Sequence, residues 1–306
     1  MEPVVSTLIS LILLLPSALF GVVTQQAPSP AQPRPVRNGS LPAVSPDGSR
    51  IAFFSNRSGT NDLFVIGRDG SGELQLTNTP ENESFAGWSA DSKHILFSIL
   101  KDNSSTVYSI DVDGKNLRAI AMIAGRNPVV SPNGKQLLYA TSSWTEMRLL
   151  LSGLDGANPQ QVNDGKSIAW NVHWSPDGKR FAFTGRSDPK SEIGVFVANA
   201  DGSEVRQISH VPLEEGAGQW PVWSADGRQL AIQVSSRTQK NSAHIWIVDV
   251  ASGEGRKLAA HDQGYLDETP SWFPDGKRIA FQSDRTGRME VWIMNVDGTN
   301  ARQVTR

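Results

Sequence analysis

Histidine, cysteine and serine are the side chains that most often carry catalysis or bind metals, and their spacing here excludes several classes of site. The sequence has no cysteine, which excludes thiol catalysis, cysteine-ligated zinc and disulfides. It contains neither a His-Glu-x-x-His motif nor a Gly-x-Ser-x-Gly motif, so zincin and serine-hydrolase chemistry is not indicated. The five histidines are widely separated, at His94, His173, His210, His244 and His261. We therefore predict no metal site built on histidine pairs.

A four-residue turn phrase recurs six times and supplies the framework for the remaining polar residues. The copies are Ser45–Gly48, Ser89–Ser92, Ser131–Gly134, Ser175–Gly178, Ser224–Gly227 and Phe273–Gly276. Their last residues lie 44, 42, 44, 49 and 49 residues apart, which is typical of a structural repeat. A second turn follows each copy, at residues 69–70, 113–114, 155–156, 201–202, 252–253 and 297–298. Five of these second turns are Asp-Gly, a strong hairpin signal.

Short apolar or alternating runs between these turns predict four β-strands per repeat. Residues 38–306 divide into six repeats of about 45 residues. We therefore predict an all-β fold, a six-bladed β-propeller of four-stranded antiparallel blades. The expected blades are residues 38–82, 83–124, 125–168, 169–217, 218–266 and 267–306. No spare strand is visible to join blade six to blade one, so we expect the ring to close by packing unless residues 36–40 add a strand.

Tryptophan precedes the first turn in four repeats, at Trp88, Trp174, Trp223 and Trp272. We call this place in each repeat the framework position, and these four residues the framework tryptophans. A large aromatic at a repeated position favours packing between neighbouring blades. Val44 and Val130 take this position in blades one and three. We interpret His173, which precedes one of these tryptophans, as a neutral residue that packs or faces the central channel.

Positions that differ between repeats are better candidates for function than the framework itself. The residues three to five before the tryptophan position should gather around one mouth of the channel, where propellers usually bind ligands. They include Glu83, Phe85, Arg126, Asn127, Trp170, Asn171, Gln219, Trp220, Asp267, Glu268 and Thr269. We choose seven of them as the rim set, the predicted partner-binding residues: Glu83, Arg126, Trp170, Gln219, Trp220, Asp267 and Glu268. Tryptophan beside arginine and carboxylates is typical of protein-binding hot spots, and the alternative is that these residues fill the channel structurally.

The repeat resembles a known family. The run Trp174–Phe183 nearly recurs at Trp272–Phe281, which is followed by Ser283–Gly287 and Val291–Gly298. This pattern is similar to the WD40-like propeller repeat of the TolB family over essentially everything after residue 38. It also resembles blades of tricorn-type proteases and of dipeptidyl-peptidase-like serine hydrolases.

The resemblance to TolB implies a periplasmic protein of the Tol-Pal system that binds a peptidoglycan-associated lipoprotein through its propeller. TolB proteins carry an α/β domain before the propeller, whereas only residues 24–37 separate the apolar N-terminal segment from the first repeat here. The contacts made by that domain are therefore not implied for this sequence. A TolB-like propeller without that domain is the expectation.

The N-terminal segment predicts export. Residues 4–23 are almost continuously apolar, so we expect residues 1–24 to be a cleaved signal peptide or a retained membrane anchor. Residues 25–37 contain four prolines and predict an extended tether. We expect a periplasmic or extracellular location.

Charge and composition narrow the choice of partner. The 306 residues include 29 Lys plus Arg and 31 Asp plus Glu, a net charge of -2 that excludes a polybasic nucleic-acid binder. Our first hypothesis is a monomeric, non-catalytic module that binds an envelope protein or peptide at the rim set, without a cofactor. The alternative is a carbohydrate- or peptide-processing enzyme that uses channel carboxylates such as Glu83 and Glu268. Carboxylates around the axis could also hold one divalent cation.

Overall fold

The predicted propeller is confirmed by a computed structural model that describes residues 38–141, 147–163, 168–187, 190–208, 218–237, 239, 242–258 and 264–306, apart from the side chains of residues 85 and 86. These residues form six four-stranded sheets, and all pairings within them are antiparallel. Each sheet consists of four consecutive strands, so each sheet is one blade. The described residues fall within one compact unit.

The first three blades contain strands β1 to β12. Blade one comprises β1 to β4, at Ser40–Val44, Arg50–Ser55, Asp62–Gly67 and Leu74–Gln75. Blade two comprises β5 to β8, at Glu83–Trp88, His94–Lys101, Ser104–Asp111 and Arg118–Ile123. Blade three comprises β9 to β12, at Arg126–Val130, Gln136–Ala140, Leu149–Gly153 and Gln160–Gln161.

The last three blades contain strands β13 to β24. Blade four comprises β13 to β16, at Ile168–Trp174, Arg180–Arg186, Gly194–Asn199 and Arg206–Gln207. Blade five comprises β17 to β20, at Gly218–Trp223, Gln229–Ser235, Ala243–Asp249 and Gly255–Lys257. Blade six comprises β21 to β24, at Asp267–Trp272, Arg278–Ser283, Glu290–Asn295 and Arg302–Gln303.

The direction of the strands separates the two ends of the propeller. Consecutive antiparallel strands place both kinds of predicted turn, the Ser-Pro-Asp-Gly type and the Asp-Gly type, at one end. We call this the turn end. The beginnings of all six first strands lie at the opposite end, which we call the rim end. The rim set therefore lies at the rim end.

Six apolar clusters hold the ring together, and each cluster joins two neighbouring blades. Between blades one and two, for example, Phe54 and Leu63 pack with Ile95 and Phe97, all at most 1% exposed. Second and third strands supply most of these residues because they are covered by sheets on both faces. The core of this protein therefore lies between blades rather than within them.

The framework tryptophans connect blades by hydrogen bonds as well as by packing. The indole Nε1 of Trp88 donates to the Ala43 carbonyl at 3.0 Å, in the first strand of the preceding blade. Two further bonds of the same kind, each 3.1 Å long, join Trp223 to His173 and Trp272 to Val222. All four tryptophans pack in clusters between neighbouring blades, which confirms their predicted role, and these three add a hydrogen bond.

Blade six joins blade one by packing and hydrogen bonds. Ile51 and Phe53 of blade one pack against Phe273 and Val291 of blade six. The backbone amides of residues 38 and 39 both donate to the Met289 carbonyl at 3.1 Å. Among the described residues, closure needs no strand exchanged between the two sheets, because β1 pairs only with β2.

The predicted signal or anchor at residues 1–24 and the tether at residues 25–37 lie outside the described residues. Within the described part of the chain, no helix has the length and apolar character needed to cross a membrane.

Candidate functional site

The first strand of every blade contains a β-bulge near its rim end. In blade one the pairing with the second strand shifts register between Ser40 and Ala43. The same irregularity recurs in the five other blades. A bulge inserts an extra residue and turns its side chain away from the regular alternation.

One residue of each bulge has a positive φ angle and lines a single cavity on the axis of the propeller. These residues, which we call the bulge ring, are Leu41 (φ 51°), Gly87 (152°), Asn127 (50°), Asn171 (48°), Trp220 (55°) and Thr269 (48°). Asparagine tolerates this region, but bulky Trp220 and β-branched Thr269 are strained there, at a cost on the order of 1–3 kcal/mol each. The surrounding structure must therefore hold these residues in place.

Side chains of the preceding blade hold three members of the bulge ring. The Leu41 amide donates to Gln282 Oε1 at 2.8 Å. The Trp220 amide donates to Thr184 Oγ1 at 3.0 Å, and the Thr269 amide donates to Gln233 Oε1 at 3.3 Å. Each acceptor lies on the second strand of the neighbouring blade. The bulges are thus fixed by contacts between blades.

The channel cavity has a volume of about 310 Å³ and is lined by the first strands of all six blades. None of the described residues that line it is Asp, Glu, Lys or Arg. Its polar groups are provided mainly by Asn127, Asn171, His173 and Thr269. The cavity is therefore an uncharged, largely apolar space with a few polar side chains in its wall.

His173 and Trp220 form the aromatic part of this wall. Their ring centroids are 6.5 Å apart and the ring planes are inclined by 51°. Desolvation inside the channel lowers the pKa of His173 to about 4, so the imidazole is neutral at physiological pH. The structure therefore agrees with the expectation of a neutral histidine that faces the channel.

The structure places the uncharged and basic members of the rim set at the beginnings of three neighbouring first strands. Arg126, Trp170, Gln219 and Trp220 are all half-buried. Of the seven rim-set residues, only Trp220 also lines the channel cavity. The other three residues of this group thus flank the cavity without entering its wall.

The two carboxylates of blade six have different surroundings. Asp267 is 8% exposed and accepts two hydrogen bonds from the Arg285 guanidinium, at 2.8 and 2.7 Å, and one from Ser283. Half-buried Glu268 accepts hydrogen bonds from Gln233 at 3.1 Å and Gln282 at 2.9 Å. Because these two glutamines also hold Thr269 and Leu41, Glu268 belongs to the network that supports the bulge ring.

Glu83 is buried between blades one and two, with 2% of its surface exposed. Its carboxyl group accepts hydrogen bonds from Thr77 Oγ1 at 2.6 Å, from the Leu63 amide and from Thr79 Oγ1. Burial raises the pKa of Glu83 to about 7. Glu83 does not line the channel cavity, and its contacts join the outer strands of blade one to the start of blade two.

Two members of the bulge ring, Leu41 and Gly87, were not among the residues selected from the sequence. The signal for Leu41 was present, because it lies three residues before the framework position, as Asn127, Asn171, Trp220 and Thr269 do. Phe85 holds that place in blade two, and the positive φ is found two residues later at Gly87. In the described residues, no three His, Cys, Asp or Glu side chains come together as a metal site.

A family model described as the TolB beta propeller domain matches residues 31–150 and 140–306. The chain belongs to the TolB β-propeller family. The structure is similar to that of a putative TolB from Agrobacterium tumefaciens, with a TM-score of 0.63 and 22% identity over 76% of this chain and 84% of that chain. TolB from Acinetobacter baumannii gives a TM-score of 0.68 and 20% identity over 85% of this chain and 64% of that one. These identities establish a common fold.

Enzymes also share this TolB-type propeller. Dipeptidyl-peptidase 5 of Porphyromonas gingivalis is 23% identical over 86% of this chain and 47% of its own length. The chain thus spans about half the length of that peptidase. Membership of the TolB propeller family therefore establishes the architecture and leaves the activity to be argued from the site.

Proposed function

We propose that this TolB-like propeller is an exported, non-catalytic module of the cell envelope that binds a protein or peptide at the rim end. The observation that carries the proposal is the grouping of Arg126, Trp170, Gln219 and Trp220 at the rim ends of three neighbouring first strands. All four are half-buried, so each combines support from the fold with accessible surface. Tryptophan and arginine are the residue types that contribute most to protein interfaces.

Within this proposal the rim set divides into two roles. Arg126, Trp170, Gln219, Trp220 and Glu268 offer surface to the partner, because they are half-buried. Asp267 and Glu83, at 8% and 2% exposed, fix the adjoining strands through their hydrogen bonds. The proposed envelope location is supported by the apolar segment at residues 4–23.

A photo-crosslinking amino acid placed at half-buried Gln219, which leaves both tryptophans in place, tests the proposal directly. The protein should capture a defined protein or peptide in envelope extract, and a peptidoglycan-associated lipoprotein is the first purified candidate to add. The matched control is the same amino acid at Lys115, an exposed residue at the turn end. Equal capture from both positions would contradict docking at the rim end.

Two further variants, one at each kind of proposed site residue, separate binding from catalysis. Trp170→Ala should weaken binding of the captured partner at least tenfold while leaving the melting temperature nearly unchanged. Hydrolysis of a glycan or peptide library by the purified protein, lost in Glu268→Gln, would instead support an enzyme.

A further inference from the structure

The channel cavity differs from the rim set in position and in chemistry. Only Trp220 of that set lines it, and its wall is built from the first strands of all six blades. Its wall combines polar groups from Asn127, Asn171 and Thr269 with the apolar surface of residues such as Val44 and Val130. This combination suits a small ligand and does not depend on a docked protein.

Polarity changes along the axis of the cavity. The bulge ring lies nearer the rim end and places Asn127, Asn171, Trp220 and Thr269 around the axis. One to three residues further along the first strands of blades one to four, toward the turn end, the wall includes Val44, Trp88, Val130 and Trp174. A ligand that matches this wall has one hydrogen-bonding end and an apolar body.

Charge is unfavourable throughout this cavity. The lining described above provides no charged side chain to pair with an ion. The imidazole of His173 is kept neutral by desolvation, which shows how little the wall stabilises a positive charge. Burying an unpaired charge is far more costly than burying a hydrogen-bonded polar group. The cavity therefore selects against ions of either sign.

We propose that the channel cavity is a binding site for an uncharged small molecule with an aromatic or aliphatic body and one hydrogen-bonding end. The polar end lies at Asn127 and Asn171, the body contacts Trp220, and the apolar end points toward Val44 and Val130. The available volume of about 310 Å³ limits the ligand to roughly the size of two or three rings.

Two fluorescent probes with the same ring body test this proposal in the purified protein without any partner. N-phenyl-1-naphthylamine is uncharged, whereas 1-anilinonaphthalene-8-sulfonate carries a sulfonate. We expect saturable binding of the uncharged probe and at least tenfold weaker binding of the sulfonate. No saturable binding of the uncharged probe, or equal affinity for both, would overturn the proposal.

Asparagine-to-aspartate variants locate the bound probe. Asn171→Asp and Asn127→Asp each add a charge at the bulge ring in a residue type that tolerates positive φ. The matched control is Asn300→Asp, at φ 56° in an exposed turn of blade six. The two ring variants should bind N-phenyl-1-naphthylamine at least tenfold more weakly, and the control should bind it as the parent does.

Unchanged binding in both ring variants, with melting temperatures showing that they are folded, would overturn the assignment to this cavity. Since no partner is added, the result is independent of docking at the rim end.

Discussion

Buried Glu83 and channel-lining His173 link the stability of this propeller to pH in opposite directions. The pKa of His173 is lowered to about 4, so the unfolded chain binds this proton more tightly than the folded protein does. The contribution of His173 to stability is therefore lost as the pH falls from about 6.5 to about 4. The pKa of Glu83 is raised to about 7, so the contribution of Glu83 to stability is lost as the pH rises.

Replacing Glu83 by glutamine should remove one part of this pH dependence. Between about pH 4.5 and about pH 7 the folded protein retains the Glu83 proton and the unfolded chain releases it, so stability falls as the pH rises through this window. Glu83→Gln has no proton to lose and can keep its carbonyl oxygen near Thr77 and Leu63. Its free energy of unfolding should therefore improve relative to the parent as the pH is raised.

Urea denaturation of the parent and of Glu83→Gln at several values between about pH 5 and pH 8 measures this difference. His173 is present in both proteins, so its contribution cancels. Parallel stability curves for the two proteins would show that Glu83 carries no raised pKa.

The side chains around the channel illustrate how far single residues can be interpreted from sequence. Counting back from the framework tryptophan selected Asn127, Asn171, Trp220 and Thr269, which the structure brings to one ring. The window of three to five residues took in both Trp220, which lies three residues before the framework position and lines the cavity, and Trp170, which lies four before it and does not. That distinction depends on which residue has positive φ, and the side-chain types at the six bulges share no common feature. The rim set as a partner-binding site remains a prediction.

At the scale of the elements, turn chemistry predicted the blades well. The Ser-Pro-Asp-Gly phrases close hairpins between first and second strands. In blade four Gly178 takes φ 67°, and in blade one Ser45 Oγ accepts a hydrogen bond from the Arg50 amide. The fourth strands were harder to predict, and β16 is only two residues long. Backbone bonding continues one residue past this strand, because the Ile208 amide donates to the Val195 carbonyl. Arg206 and Gln207 are both exposed, so no apolar alternation marks this strand in the sequence.

The tryptophans that precede the first turns provide a matched test of contacts between blades. Trp272 Nε1 donates to the Val222 carbonyl, whereas Trp174 Nε1 has no hydrogen-bond partner among the described residues. In both residues, replacement by phenylalanine removes the pyrrole part of the indole together with its N–H group. Trp272→Phe should therefore destabilise the protein by about 1 kcal/mol more than Trp174→Phe, the typical net value of such a bond.

Chemical denaturation of both tryptophan variants and the parent gives this difference directly. A larger loss for Trp174→Phe than for Trp272→Phe would mean that packing, and not the hydrogen bond, determines the contribution of these residues.

At the scale of the whole molecule, the contact between blades six and one decides whether the ring is closed. Gly39 lies in this contact, where a Cβ atom would stand 2.8 Å from Val291 Cγ2 and 3.0 Å from the Val291 amide nitrogen. Gly39→Ala should therefore push the two blades apart and destabilise the protein by about 1–3 kcal/mol. Hydrogen exchange should rise most in blades one and six.

Gly255→Ala is a suitable control for this variant, because its Cβ would meet Trp246 at 3.3 Å, well away from the closing contact. Exchange that rises evenly over all six blades in Gly39→Ala would show that closure does not depend on this site. The sequence predicted closure by packing, and the hydrogen bonds of residues 38 and 39 to Met289 add a contact that no repeat pattern could indicate.

The bulge ring also determines how the wall of such a channel can change between related propellers. Its six members come from six separate repeats, so a substitution at one bulge alters one wall while the other five walls keep their geometry. A repeat of about 45 residues exchanged between related propellers would carry its wall residue with it. It would need only a side chain in the preceding blade that accepts the hydrogen bond of its bulge amide. The selectivity that we propose for the channel would thus be modular, and protein engineering could change it one repeat at a time.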